Sequence, residues 1–161
     1  IFLLLTQHVM SVIKTYNFVP GNCLFDSIAF LIPAWNGNGK GLRASAIEWT
    51  ENQLVLGKSD WVITISNNYR HYEYYGKRSY QEYLEHLKDV SVYATTVDLY
   101  MLTFFLEVGI VLYSSSYQRI VDNETRFVPN MQFASSFQTR INLFYDPIME
   151  HYEPIIVNIN N

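Results

Sequence analysis

A chain of 161 residues that is 49% hydrophobic, with a formal net charge of −4, can bury one sizeable core and is too apolar to be disordered. Its single cysteine excludes a disulfide framework and a thiolate-rich zinc site, and no ligand spacing suggests any other metal or cofactor. Eleven basic residues against 15 acidic ones give no basic surface for nucleic acid.

The apolar start Ile1-Phe2-Leu3-Leu4-Leu5 is too short to span a membrane and lacks the basic flank of a signal peptide, so no membrane insertion is expected. From about Leu4 to Tyr16 the positions of Leu5, Val9, Val12 and Ile13 predict an amphipathic helix. Pro20-Gly21 then breaks regular structure, and Asn22 is a candidate N-cap for a helix from Cys23 to the residues before Pro33. Asn36 to Gly41 is expected to be a mobile loop, without the glycine spacing of a phosphate-binding motif. Helices are predicted from about Leu42 to Leu56 and from Tyr80 to Lys88, while Trp61 to Tyr69 is ambiguous.

The most regular segment is Thr96 to Val108. There Val97, Tyr100, Met101, Phe104, Phe105 and Val108 share one helical face, Thr95 and Asp98 form a capping-box pattern, and Gly109 is the expected stop. Ile110–Tyr113 and Tyr117–Val121 read as two strands around a Ser114–Ser116 turn, followed by strands at Arg140–Tyr145 and Glu153–Ile159. Helices early and strands late predict an α+β domain over residues 1–161, with a small, mostly antiparallel sheet packed between helices. The start at Ile1 suggests a piece excised from a longer protein.

Cys23 is the candidate nucleophile. A thiol at the first turn of a helix feels the positive end of the macrodipole, which favours thiolate, and the N–H groups around Gly21 to Cys23 can meet a developing oxyanion. Among the four histidines, His86 is explained by Glu82 four residues before it, and His71 by an aromatic cluster at 69–75. His8 sits in the amphipathic segment. His151 opens the last strand, and strand alternation places Glu153 on its face, so a nucleophile, base and orienter are available. Ser11-Val12-Ile13-Lys14 has the spacing of a serine–lysine pair, but its partner motifs are missing.

Pro20-Gly21-Asn22-Cys23-Leu24-Phe25 resembles the nucleophile motif of the ovarian-tumour (OTU) family of cysteine proteases, usually Asp-Gly-Asn-Cys with Leu/Phe and an aromatic after it. Tyr93-Ala94-Thr95-Thr96-Val97-Asp98-Leu99 resembles the family's Trp-Gly-Gly-x-x-Glu-Leu segment, and His151-Tyr152-Glu153 its closing His-aromatic-Asp/Asn motif. The order holds from about Phe18 to Val157. The resemblance implies a papain-type fold and metal-free hydrolysis of the isopeptide bond after the last glycine of ubiquitin or a ubiquitin-like modifier. Cys23 is then the nucleophile, His151 the general base and Glu153 the third member, with Pro20, Gly21 and Asn22 in the oxyanion loop.

Three residues depart from that pattern. Pro20 replaces an aspartate that helps order the loop, Glu153 is a methylene longer than usual, and Asp26 sets a negative charge one turn after Cys23. The departures also admit an inactive ubiquitin- or partner-binding module, and a divergent viral source admits a polyprotein-processing protease. Asp26, Thr95, Thr96, Asp98, Glu150, Tyr152 and the 69–75 cluster are the candidates for substrate contact, the acidic ones facing the arginines of ubiquitin's tail. A working free thiol fits a reducing, cytoplasmic compartment.

Overall fold

In the computed structural model, the structure describes residues 8–12, 19–57, 76, 79–121, 124–134 and 136–159. The expectations for Trp61–Tyr69 and for the aromatic cluster at 69–75 lie outside the described residues. The elements in chain order are β1 (His8–Val12), a 3-10 turn (Pro20–Asn22), α1 (Cys23–Leu31), a second 3-10 turn (Pro33–Trp35), α2 (Gly39–Leu56) and α3 (Tyr80–Leu87). They continue with α4 (Thr96–Leu106), β2 (Gly109–Val121), β3 (Glu124–Phe133), β4 (Arg140–Asp146) and β5 (His151–Ile159).

The five strands form one sheet in the order β1-β5-β4-β2-β3. β2 runs parallel to β4, from Gly109↔Arg140 to Ser114↔Tyr145, and the other three pairings are antiparallel. The architecture is α+β with a mostly antiparallel sheet, as expected. Ile110, Leu112, Ile141, Leu143 and Tyr152 share the main core with helix residues such as Leu24, Ile28, Leu99 and Leu102. Alternation sends Tyr113, Phe144 and Ile155 to a smaller cluster.

Several local readings need correction. His8–Val12 is a strand where a helix was expected: it pairs along β5 from His8↔Ile159 to Val12↔Ile155. A strand edge with open N–H and C=O groups outweighs a short helical pattern that has little propensity behind it. The glycine-rich stretch at 36–41 is a tight turn and a helix start: Asn36 and Gly37 adopt positive φ (46° and 75°), and the Asn38 side chain accepts the Gly41 N–H at 2.9 Å.

α4 has the expected capping box, but Glu107 (φ 55°) ends it in the left-handed conformation, leaving Gly109 to begin β2. The Ser114–Ser116 turn is also absent. β2 continues through it with a shift of register against β3 between Tyr113 and Gln118. Ser114 and Ser116 bond each other through their hydroxyls at 2.9 Å, which satisfies polar groups locally where the ladder is interrupted.

Candidate active site

Cys23 is the first residue of α1, directly after the Pro20–Asn22 turn. Proline fits this start because its fixed φ suits a helical first position and its missing N–H costs nothing there. Gly21 is required by close approach and not by bending: a Cβ at this position would stand 2.2 Å from the Ser91 carbonyl carbon and 2.5 Å from the Val90 oxygen. The Pro20–Asn22 turn is therefore pressed against residues 90–91 by way of a residue without a side chain.

Asn22 occupies the N-cap position of α1 without capping it through its side chain. It is fully buried, donates from Nδ2 to Asp26 Oδ1 at 2.8 Å, and accepts from Arg43 Nη1 at 3.3 Å. Arg43, 1% exposed, also donates to the carbonyls of Leu87 (2.6 Å), Asp89 (2.7 Å), Val92 (2.8 Å), Gly21 (3.1 Å) and Val90 (3.4 Å). Its guanidinium stands 4.9 Å above the Phe25 ring. One side chain thus ties the Pro20–Asn22 turn to the α3–α4 connection. Sequence reasoning passed over Arg43, although its place beside Leu42, Ala46 and Ile47 on the buried stripe of α2 is a signal, since an arginine on an apolar face must find partners.

The thiol meets β5 at the sheet edge. The pairing of β1 with β5 ends at Val12↔Ile155. Beyond that point the Tyr152 N–H donates to Cys23 Sγ at 3.5 Å, and Ser27 Oγ donates to the Tyr152 carbonyl at 3.1 Å. These two bonds fix the start of α1 against the peptide that follows His151. His151 Nε2 lies 3.8 Å from Glu153 Oε1, on one face of the strand as alternation requires. That separation between these two atoms exceeds a hydrogen bond.

Cys23 is 2% exposed, and burial pushes its thiol above the ordinary value. The N–H groups of Tyr152 and Leu24 pull the other way, and the Asp26 carboxylate adds to the rise. The macrodipole expectation of a depressed thiol pKa is therefore corrected: desolvation outweighs it. The N–H groups expected to face an oxyanion are also taken, that of Asn22 by the Val19 carbonyl at 2.8 Å and that of Cys23 by the Pro20 carbonyl.

A groove of about 390 Å³ is lined by His86, Ser91, Tyr93, Tyr145, Glu150 and Tyr152 among others, Tyr152 being the residue whose N–H meets the thiol. The Tyr145 and Tyr152 rings stand 4.7 Å apart, and both hydroxyls are pushed up, first by burial and in part by the nearby Cys23. Glu150 and Tyr152 are thus placed at the groove. Asp98 is corrected: it is fully buried, and its Oδ2 accepts from Thr95 N–H (2.6 Å), Thr95 Oγ1 (3.2 Å) and Tyr83 Oη (2.7 Å), so it closes the helix start and faces no substrate. Thr95 is spent in that same cap, and Thr96 begins α4 beside it. Asp26 turns inward to Asn22. Among the described residues no group of three His, Cys, Asp or Glu side chains could hold a metal ion, and no helix is long and apolar enough to cross a membrane.

The order of helices and strands around this sheet recurs in known structures. The chain has the OTU-domain fold. The OTU domain of OTUD1 superposes with a TM-score of 0.62 at 14% identity, covering 91% of this chain and 85% of that one. The viral OTU protease of Dera Ghazi Khan virus gives 0.61 at 15%, covering 94% and 86%. An OTU domain in complex with ubiquitin gives 0.59 at 16%, covering 94% and 72%. No family model matches the sequence, and comparison with curated proteins gives no match.

Proposed function

We propose that the protein is a cysteine-dependent deubiquitinase that cleaves after the C-terminal glycine of ubiquitin or a ubiquitin-like modifier. The observation that carries this reading is the placement of Cys23 Sγ against the peptide between His151 and Tyr152, with Glu153 near the imidazole. Structural neighbours bound to ubiquitin, among them the Hazara virus and Wolbachia OTU domains, supply the substrate class.

The proposed chemistry uses these residues in turn. Burial holds the Cys23 thiol neutral at rest, so the nucleophile is made when its proton passes to His151 as the substrate carbonyl arrives. The sulfur adds to that carbonyl, and the negative oxygen is stabilised by the positive end of the macrodipole at the start of α1, since the Asn22 and Cys23 N–H groups already bond the Val19 and Pro20 carbonyls. His151 returns the proton to the departing lysine amine, leaving a thioester. Water, deprotonated by His151, then releases the free carboxylate and restores the thiol. Glu153 stabilises the imidazolium formed in each half-reaction. Glu150, at the rim of the groove, is suited to an arginine of the incoming tail.

A second reading, a module that binds ubiquitin without hydrolysing it, draws on the burial of the thiol and on the 3.8 Å gap between His151 and Glu153. The two are separated by incubating the protein with ubiquitin carrying a C-terminal electrophile and, in parallel, with di-ubiquitins of each linkage. The enzyme forms a covalent adduct that Cys23→Ala abolishes, and it releases mono-ubiquitin. Binding without adduct or turnover, in folded protein, establishes the second reading instead.

A further inference from the structure

We propose that Asp26 is a positioning residue for the nucleophile: together with Arg43 it holds the Asn22 carboxamide from both ends and so fixes the turn that presents Cys23. The proposal rests on the thiol-hydrolase reading above. The turn at Pro20–Asn22 cannot order itself through side chains at its first two positions, because proline has no N–H and no polar side-chain atom, and glycine has no side chain. The only polar side chain in the turn is Asn22, and it is fully buried.

Asn22 has a donor end and an acceptor end, and each finds a partner of matching chemistry. Nδ2 donates to Asp26 Oδ1 at 2.8 Å, and Oδ1 accepts from Arg43 Nη1 at 3.3 Å. A flipped amide would face Arg43 with a donor and Asp26 with an acceptor, so a single orientation survives. The same Arg43 nitrogen donates to the Gly21 carbonyl at 3.1 Å, and the Asp26 carboxylate also takes the Val19 N–H. Every residue from Val19 to Asn22 except Pro20 is thereby tied to Asp26 or Arg43.

Asp26 has no room to turn away. A Cβ on Gly39 would stand 2.0 Å from Asp26 Oδ1 and 2.7 Å from its Cα, so the start of α2 packs directly on this carboxylate. A purely electrostatic role at the helix start is the competing explanation, and it makes the opposite forecast. The Asp26 charge opposes thiolate formation at Cys23, so as a charge it hinders the nucleophile, whereas as an acceptor it orders the loop.

Asp26→Ala removes charge and acceptor together, while Asp26→Asn removes the charge and keeps an acceptor oxygen. Hydrolysis of ubiquitin-aminocoumarin by both variants and the wild type separates the two roles, with iodoacetamide alkylation of Cys23 followed against pH in parallel. The expected result is a fall in kcat of about 10- to 100-fold for Asp26→Ala with KM held to within about two-fold, since a misplaced nucleophile costs up to about that much. Asp26→Asn recovers to within about three-fold of wild type, and alkylation in both variants moves to lower pH.

Equal kcat losses in the two variants, or none in Asp26→Ala, overturn the proposal. If the wild type hydrolyses no ubiquitin substrate, the functional reading fails by itself, and the positioning role is read from amide relaxation and hydrogen exchange. Asp26→Ala then loses order at residues 19–23 and protection of the Asn22 side-chain amide, Asp26→Asn keeps both, and an unaltered loop in Asp26→Ala refutes the role. Asp26→Ser, too short to reach Asn22, replaces the alanine variant if that protein does not fold.

Discussion

Arg43 offers a stability test whose size can be worked from its contacts. Arg43→Met keeps an unbranched stem and removes all five donors. The carbonyls of Leu87 and Gly21 and the Asn22 Oδ1 lie in buried contacts and lose their partner, at about 1–3 kcal/mol each. The carbonyls of Asp89, Val90 and Val92 are partly exposed, and water replaces the guanidinium there. Against the loss stands relief from burying a cation, a strain visible in the lowered pKa of Arg43, whose first cause is desolvation, and worth roughly a few kcal/mol. The net is a destabilisation of about 3–4 kcal/mol. At roughly 2–4 °C per kcal/mol for a chain of this size, the melting temperature falls by about 10 °C. Thermal and urea unfolding followed by circular dichroism measure it, with Arg43→Lys, which keeps the charge and three donors, falling between. A methionine variant that melts within about 2 °C of wild type would show that the desolvation cost cancels the six contacts, and the argument that Arg43 holds the loops together would fail.

Three further outcomes follow from the site. Because burial raises the Cys23 thiol, wild-type alkylation by iodoacetamide stays slow at neutral pH and accelerates only as the pH climbs through and above the ordinary thiol range; a rate already on its plateau at pH 7 contradicts this. Gly21→Ala drives a methyl group into the Val90–Ser91 backbone, so it destabilises by about 1–3 kcal/mol and lowers turnover, and unfolding curves that overlay wild type would refute the close packing. Glu150→Gln lowers kcat/KM a few-fold at low ionic strength, and the difference disappears as salt is raised; parallel salt dependences would remove Glu150 from substrate recognition.

What could be read from the sequence was whatever is encoded locally. α4 announces itself through a long apolar periodicity and a Thr95–Asp98 capping box, and α2, α3, β4 and the last strand follow from comparable patterns. β1 was not legible because its five residues become a strand only by pairing with β5, at the opposite end of the chain. The serine segment of β2 was misread for a related reason: a polar interruption means a turn only when the next strand folds back, and here the partner strand absorbs it as a shift of register. In the site, Cys23, His151 and Glu153 are recognisable by residue type and order. Asp98 was assigned twice over by its own sequence, to a helix cap and to a substrate. The cap prevails because the carboxylate is fully buried and its Oδ2 accepts from the Thr95 N–H, the Thr95 hydroxyl and the Tyr83 hydroxyl.

The state of the thiol could not be read in this way, since it depends on a balance between a local and a non-local effect. A helix start contributes about 0.3–1 kcal/mol toward thiolate, less than one pKa unit at 1.36 kcal/mol per unit. Burial of an ionising group acts over as much as 3–5 units. The sequence reveals the helix start but not the closure of β5 and Tyr152 over Cys23, so reasoning from sequence gets the sign of the shift wrong. For the proposed mechanism the consequence is that activation is deferred: a thiol held neutral at rest would become nucleophilic only when a substrate carbonyl reaches the sulfur and His151 takes the proton. Ordering of the Val19–Asn22 turn by Asp26 and Arg43 would then matter more than a standing thiolate, because the turn sets where the sulfur stands at that moment.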